Sequence, residues 1–247
     1  MLAEKRAIVS GASRGIGRAI ALQLARAGAD VMVHGTRAEL LQELAAEIAE
    51  LGVRSAWIAG DVAQEQTARD AVAQATEAFG GVDILVCNAG INTRSSTLDM
   101  ALDDWQRVID VNLNGTLHFC RAVLPGMIAQ GGGKIVNVSS TTAKTPHKNA
   151  APAYGASKAA VNYLTQHLAR EMAPHGIFVN AVCPGPVESD MTAQWDDDYR
   201  QRVLAGVPIG RLGTPEQIAE TVVFLAGPGS DFITGETVNA NGGTYMN

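Results

Sequence analysis

Cysteine is scarce in this chain of 247 residues: Cys87, Cys120 and Cys183 are odd in number, far apart and without paired spacing. That excludes a disulfide frame and suggests no zinc site, so no metal is expected. Aromatic residues make up only 5% of the chain and charged residues 18%. Lysine and arginine form no cluster, and the formal net charge of −6 works against nucleic acid or anionic membrane surfaces as partners. Nothing approaches the roughly 20 consecutive apolar residues of a membrane span. Residues 1–7 lead straight into an apolar run too short for the core of a signal peptide. Linker-like low-complexity stretches and solenoid-length repeats are also missing. These absences lead to the expectation of a cytoplasmic globule, one domain over 1–247.

What is present is apolar and small. Hydrophobic residues are 47% of the chain, enough for a sizeable core. Short β-branched runs alternate with longer alanine- and leucine-rich stretches. Strands are expected at Ala7–Val9, Asp30–His34, Arg54–Ala59, Ile84–Cys87, Lys134–Val138, Phe178–Val182 and Thr237–Asn239. Helices are expected at Gly15–Ala27, Arg37–Leu51 and Gln64–Phe79, with glycine caps at Gly28, Gly52 and Gly80. Strands that are apolar throughout, separated by helices, predict an α/β fold: a doubly wound, mostly parallel seven-stranded sheet with helices on both faces.

Directly after the first strand comes Ser10-Gly11-Ala12-Ser13-Arg14-Gly15-Ile16-Gly17, followed by a helix. At such a junction Gly11 permits the tight turn, Gly15 lets the backbone approach a pyrophosphate, and Gly17 lets helix and strand pack closely. The helix-start N–H groups and dipole favour an anion, so a dinucleotide is expected here. The spacing G-x-x-x-G-x-G resembles that of the short-chain dehydrogenase/reductase family, and the resemblance extends over nearly the whole chain. Asp61-Val62 resembles the family's adenine-contacting pair, and Asn88-Ala89-Gly90 its N-A-G motif, with Cys87 where a second asparagine is common. Asn112, Asn137-Val138-Ser139-Ser140, Tyr154-Gly155-Ala156-Ser157-Lys158 and Pro184-Gly185 follow in the family's order. The resemblance implies a Rossmann-type single domain and a nicotinamide cofactor.

Charge decides which nicotinamide. An NAD enzyme usually ends its second strand with an acid for the ribose 2′-hydroxyl. That position falls near Gly35, and His34-Gly35-Thr36-Arg37 contains no acid. Arg14, Thr36 and Arg37 could instead hold a 2′-phosphate by charge-assisted bonds, which predicts NADP(H).

Tyr154 and Lys158 are four residues apart on an expected helix and so share one face. A nearby ammonium is expected to lower the tyrosine's pKa from about 10. Ser140 lies at a strand end, where an open α/β sheet places its ligands. Its interval of 14 residues to Tyr154 is about one longer than is common in the family, which reads as a lengthened loop within Thr141–Pro152. The resemblance implies carbonyl–alcohol interconversion by hydride transfer. Tyr154 would be the proton donor, Ser140 would steady the substrate oxygen, Lys158 would bind the nicotinamide ribose, and Asn112 would hold a relay water. It also implies nicotinamide-side contacts at Pro184, Gly185, Val187 and Ser189, and a substrate lid at about 187–210.

Within the lid, Asp196-Asp197-Asp198 reads as a solvated turn, and Met191 and Trp195 as apolar cover. His147 and Lys148 read as an exposed loop pair that could contact hydroxyls or a carboxylate. Many relatives are 3-oxoacyl-thioester reductases, whose acidic carrier protein docks on arginines beside the mouth. The matching stretches here, 130–134 and 173–176, contain none, though Lys134, His175 and Arg121 could partly compensate. A sugar, polyol or small-carbonyl substrate therefore stays open, as does a non-catalytic NADP(H) redox sensor. Leu102–Ile128, Ala153–Met172 and the C-terminal Phe232–Asn247 are expected to pair with symmetry mates in a homotetramer.

Overall fold

The molecule is described by a computed structural model covering residues 1–147, 150–189, 192 and 195–246. Its strands are β1 (Arg6–Ser10), β2 (Asp30–Gly35), β3 (Ser55–Ala59), β4 (Ile84–Cys87), β5 (Gly133–Val138), β6 (Ile177–Pro184) and β7 (Thr237–Ala240). They form one sheet in the order β3-β2-β1-β4-β5-β6-β7, and every pairing among them is parallel. The order reverses between β1 and β4. In an open α/β sheet that reversal opens a crevice beyond the strands' carboxyl ends.

Side chains alternate across the central strands and build two cores. Val9, Val31, Val33, Val86 and Val136 pack on one face under α1 (Gly15–Arg26), α2 (Ala38–Glu50) and α8 (Pro215–Ala226). Ile8, Met32, Leu85 and Ile135 pack on the other under α3 (Glu65–Phe79), α5 (Gly115–Gln130) and α6 (Pro152–Met172). Each fully buried side chain of this kind contributes roughly 1.5–3 kcal/mol, so both sheet faces must be covered. The edge strands β3 and β7 are only partly buried, unlike the all-buried β4.

Helix ends follow the local chemistry. Gly28, Gly52 and Gly80 all take positive φ just past a helix end, as expected of left-handed caps. The expected continuous helix Leu102–Ile128 is interrupted: α4 (Leu102–Ile109) passes through a π-helical turn, Asp110–Asn114, before α5 begins. The widened turn brings Gly115 against Val62, where a Cβ would stand 2.7 Å from Val62 Cγ2. Asp196-Asp197-Asp198 is solvent-exposed as expected, but it begins a helix rather than forming a turn. Asp196 caps α7 (Asp197–Leu204) by accepting from Tyr199 N at 2.7 Å, and the other two acids lie in its first turn, where the helix dipole favours them.

Candidate active site

One cleft of about 960 Å³ runs from the phosphate loop to the end of β5. Its nucleotide end is made largely of backbone. Gly11 packs so closely on the β4 loop that a Cβ would meet Ala89 Cα at 2.7 Å, and a Cβ on Gly17 would overlap the Gly11 carbonyl oxygen. Asn88 Nδ2 donates to the Ser10 and Gly11 carbonyls at 3.1 and 2.9 Å, while Ser10 Oγ accepts from the amides of Asn88 and Ala89. The N-A-G motif thus clamps the phosphate loop. Gly15, at φ +54°, has nothing within 4 Å of where its Cβ would lie. Arg14 provides no side-chain cap to α1, and the first turn carries no acid. Neither the cap nor the first turn of this helix offers its amides an anion, and the donor set fits a pyrophosphate.

Thr36 and Arg37 are exposed at the end of β2 and line the cleft with Ser13 and Arg14. A Cβ on Gly35 would lie 3.6 Å from Ser13, so the position expected to carry an acid in an NAD enzyme packs on the phosphate loop. Asp61, Val62, Asn88, Ala89, Gly90, Gly185, Val187 and Ser189 also line the cleft. Ser189 Oγ accepts from Thr192 N at 3.2 Å, and Ser189 N donates to Thr192 Oγ1 at 2.7 Å.

At the other end, Ser140 and Tyr154 come together. Ser140 Oγ donates to Thr142 Oγ1 and accepts from Thr142 N, both at 3.1 Å, and it lies near enough to the Tyr154 hydroxyl to favour its ionised form. The longer interval between the two residues is taken up by a 3₁₀ turn, Thr141–Ala143, and the loop beyond it. Ser139 points away, donating to the Lys158 carbonyl at 3.2 Å. Burial raises the pKa of Tyr154, and Ser140 only partly opposes it. The expected lowering by Lys158 is thus absent. Lys158 lies below the cleft with Nζ donating to the Val138 carbonyl at 2.7 Å and 5.9 Å from the Tyr154 ring centroid. Burial brings Lys158 down to about 8, so its charge is weakly held.

Asn112, Lys158 and Pro184 do not line the cleft; they stand behind it. Asn112 Nδ2 donates to Ile91 O at 2.9 Å and Ser157 Oγ at 3.0 Å, and its Oδ1 accepts from Ile91 N at 2.8 Å. A Cβ on Gly90 would touch both Asn112 Oδ1 and Lys158 Nζ, at 3.3 and 3.4 Å. Glycine there keeps the path between these two groups open. Pro184 ends β6 and hands the chain to Gly185, where a Cβ would meet Asn241 at 2.8 Å.

The mouth contains groups with no motif. Trp195 packs edge-on against Tyr199 at 5.0 Å, and both line the cleft with Asn92, Thr142 and the exposed His147. Lys148 and Met191 lie outside the described residues. His34 and Arg107 join the nucleotide end, although 73 residues separate them in the chain and nothing in the linear pattern pairs them. The stretches 130–134 and 173–176 lie at the amino ends of β5 and β6, the opposite end of the sheet from Ser140. Lys134 is committed there to Asp231 at 2.7 Å and to the Phe178 ring, and Arg121 lies 3.7 Å from Glu65. None of Lys134, Arg121 and His175 is among the described residues that line the cleft.

Comparison with known proteins agrees with this arrangement. Residues 11–245 match the family model described as enoyl-(acyl carrier protein) reductase. The 3-oxoacyl-[acyl-carrier-protein] reductase FabG of Aquifex aeolicus is 40% identical over 242 residues, covering 98% of this chain and 97% of that protein. Its counterpart in Vibrio cholerae is 41% identical over 242 residues, covering 98% of each. The crystal structure of a short-chain type dehydrogenase/reductase from Mycobacterium marinum superposes with a TM-score of 0.92 at 37% identity, covering 100% of this chain and 97% of that one. Among the described residues no helix is long and apolar enough to cross a membrane. The chain belongs to the short-chain dehydrogenase/reductase family, as an oxidoreductase that interconverts carbonyl and alcohol groups with NADP(H).

Proposed function

We propose that the protein reduces a 3-oxoacyl thioester to the 3-hydroxyacyl thioester. The observation that supports the chemistry is the convergence of Ser140 and Tyr154 at the far end of the cleft that begins at the phosphate loop. The substrate class rests on the names of the relatives, which align along almost all of the chain. NADPH, when bound, supplies the hydride to the carbonyl carbon. Tyr154 donates its hydroxyl proton to the developing alkoxide, and Ser140 holds that oxygen through its own hydroxyl. Lys158 binds the nicotinamide ribose and, with its lowered pKa, passes a proton readily toward Tyr154. Asn112, tied to Ile91 and Ser157, fixes the buried wall beside Lys158.

Phosphate contacts are assigned to Gly11, Ser13, Gly15, Ile16 and Gly17. Arg14, Thr36 and Arg37 take the 2′-phosphate, and Pro184, Gly185, Val187 and Ser189 frame the nicotinamide. Residues 187–210 form the substrate lid of a single domain. Leu102 and Tyr163, 84% and 70% exposed on α4 and α6, support burial between subunits of a homotetramer. Three unpaired cysteines support a reducing, cytoplasmic compartment. A monomer by light scattering at micromolar concentration would remove the tetramer.

The polar mouth, with Asn92, Thr142 and His147, favours a second reading, a small hydroxylated carbonyl. Absorbance at 340 nm separates the two. Turnover of acetoacetyl-CoA and a 3-oxoacyl carrier conjugate with NADPH supports the thioester. Silence there, with turnover of diketones, sugars or polyols, supports the small carbonyl. Silence throughout returns the NADP(H) redox sensor. Tyr154→Phe should lower kcat on the order of 10³-fold on any true substrate while NADPH binding persists.

A further inference from the structure

The nucleotide end of the cleft contains a charge pair that belongs to none of the chain's motifs. Arg107, on α4, lines the cleft beside Gly60, Asp61 and Val62. Its guanidinium binds Asp61 Oδ2 at 2.7 Å, while Asp61 Oδ1 accepts from Ala63 N at 3.0 Å. Each carboxylate oxygen is therefore anchored once, from a different direction, and each keeps a lone pair to offer. Burial alone would raise the Asp61 carboxyl, but the Ala63 amide and then Arg107 bring it below its ordinary range. His34 is buried in the same wall, 1% exposed, with the Gly60 backbone in reach of its ring.

We propose that Arg107 is a positioning residue for recognition of the cofactor's base: it holds Asp61 as a fixed, acceptor-only group, so that the site selects a 6-aminopurine over a 6-oxopurine. The inference rests on the NADP(H) reading above and on the adenine contact that the family resemblance implies for Asp61. A 6-amino group donates to a carboxylate. A 6-oxo group presents a second acceptor, and two facing acceptors leave both unpaired and repelling. Without Arg107, Asp61 turns and hydrates, and it can then avoid the oxo group as easily as meet the amino group.

The test is calorimetric binding of NADPH and of its hypoxanthine analogue, deamino-NADPH, to the wild type, Arg107→Met, Arg107→Lys and Asp61→Asn. Thermal unfolding of each protein without cofactor provides the folding control. The wild type should bind NADPH about tenfold more tightly than the analogue, as expected for one charge-assisted hydrogen bond. Arg107→Met should bring that ratio to about two, Arg107→Lys should restore part of it, and Asp61→Asn should abolish it. Arg107→Met keeping the wild-type ratio, or weakening both ligands equally, would overturn the proposal and leave an ordinary surface ion pair. A wild type that binds both ligands equally would overturn it while leaving the cofactor reading intact. A wild type that binds neither would bring down that reading and the inference with it.

Discussion

The two ends of the cleft are built on different terms. At the nucleotide end, backbone meets backbone: Gly11 packs against Ala89, and Gly17 against Gly11 itself, with no room for a Cβ. At the other end, side chains from separate segments converge, Asn92 after β4, Thr142 and His147 after β5, Trp195 and Tyr199 from the proposed lid. The proposed lid also has a glycine in the left-handed region, Gly210 at φ +74°, but nothing lies within 4 Å of its Cβ position. Where main chain does the binding, only one residue type fits. Where side chains on loops face solvent, many would serve, and the choice tunes the substrate.

The sharpest way to break this comparison is to add one methyl group at each end. Gly17→Ala should destabilise the fold by roughly 3 kcal/mol or more and weaken NADPH more than tenfold, because the new carbon overlaps fixed backbone. Gly210→Ala should cost only the left-handed strain, about 1–2 kcal/mol, and leave NADPH affinity unchanged. Urea unfolding and fluorescence titration measure both; similar losses at the two sites would dissolve the distinction.

Acid sensitivity should also concentrate at the nucleotide end. Burial lowers His34 to about 4 from 6.5. The unfolded chain therefore binds this proton first as pH falls, and the folded state loses stability between about 6.5 and 4. The loss is on the order of 3 kcal/mol for a shift of this size. His34→Gln should flatten that part of the stability–pH curve relative to the wild type, read from urea midpoints at neutral pH and near pH 4. Parallel curves would show that other groups carry the acid response.

A smaller effect is expected at Arg37. Arg37→Ala removes one charged partner of a 2′-phosphate, and the NADPH/NADH ratio of kcat/KM should fall on the order of tenfold. An unchanged ratio would place cofactor choice elsewhere. The smallest effect belongs to the lid. Glu188 and Arg200 form an ion pair with side chains 39% and 35% exposed. Glu188→Gln should alter stability by less than about 1 kcal/mol, because solvent screens such pairs. KM for substrate should move more than affinity for NADPH, and the reverse would place this pair at the nucleotide end functionally.

The legible parts of the molecule share a local cause. The five inner strands were readable because apolar runs buried on both faces need no partner to be recognised, and each expected strand, including the partly buried edge strands β3 and β7, overlaps an observed one. The glycine-rich loop, Ser140 and the Tyr154–Lys158 pair could be proposed as site residues because short, regular spacing marks them, and the structure places the loop, Ser140 and Tyr154 along one cleft. Harder to read were features whose cause lies across the fold. The π-helical turn at Asp110–Asn114 has no mark in an apolar stretch; it appears where α4 gives way to α5 and Gly115 meets Val62. The helical role of Asp196–Asp198 was missed because three acids suit either a turn or a helix start, and only the Asp196–Tyr199 bond distinguishes them. The direction of the Tyr154 shift was misjudged because spacing places a lysine nearby but says nothing of its burial or of its bond to Val138.

By itself the sequence determined the sheet, the glycine-rich turn after β1, the lack of an acid after β2 and which side chains to propose as reacting groups. Each of these depends on residues within a few positions of one another. Only the tertiary structure decided which groups line the cleft and which stand behind it. It set Asn112 and Lys158 in the wall and turned Ser139 away from Ser140. It also joined Arg107 to Asp61 across 46 residues of chain. Such pairings follow from the packing of whole elements on the sheet, and packing is a property of distances in space that no local spacing encodes.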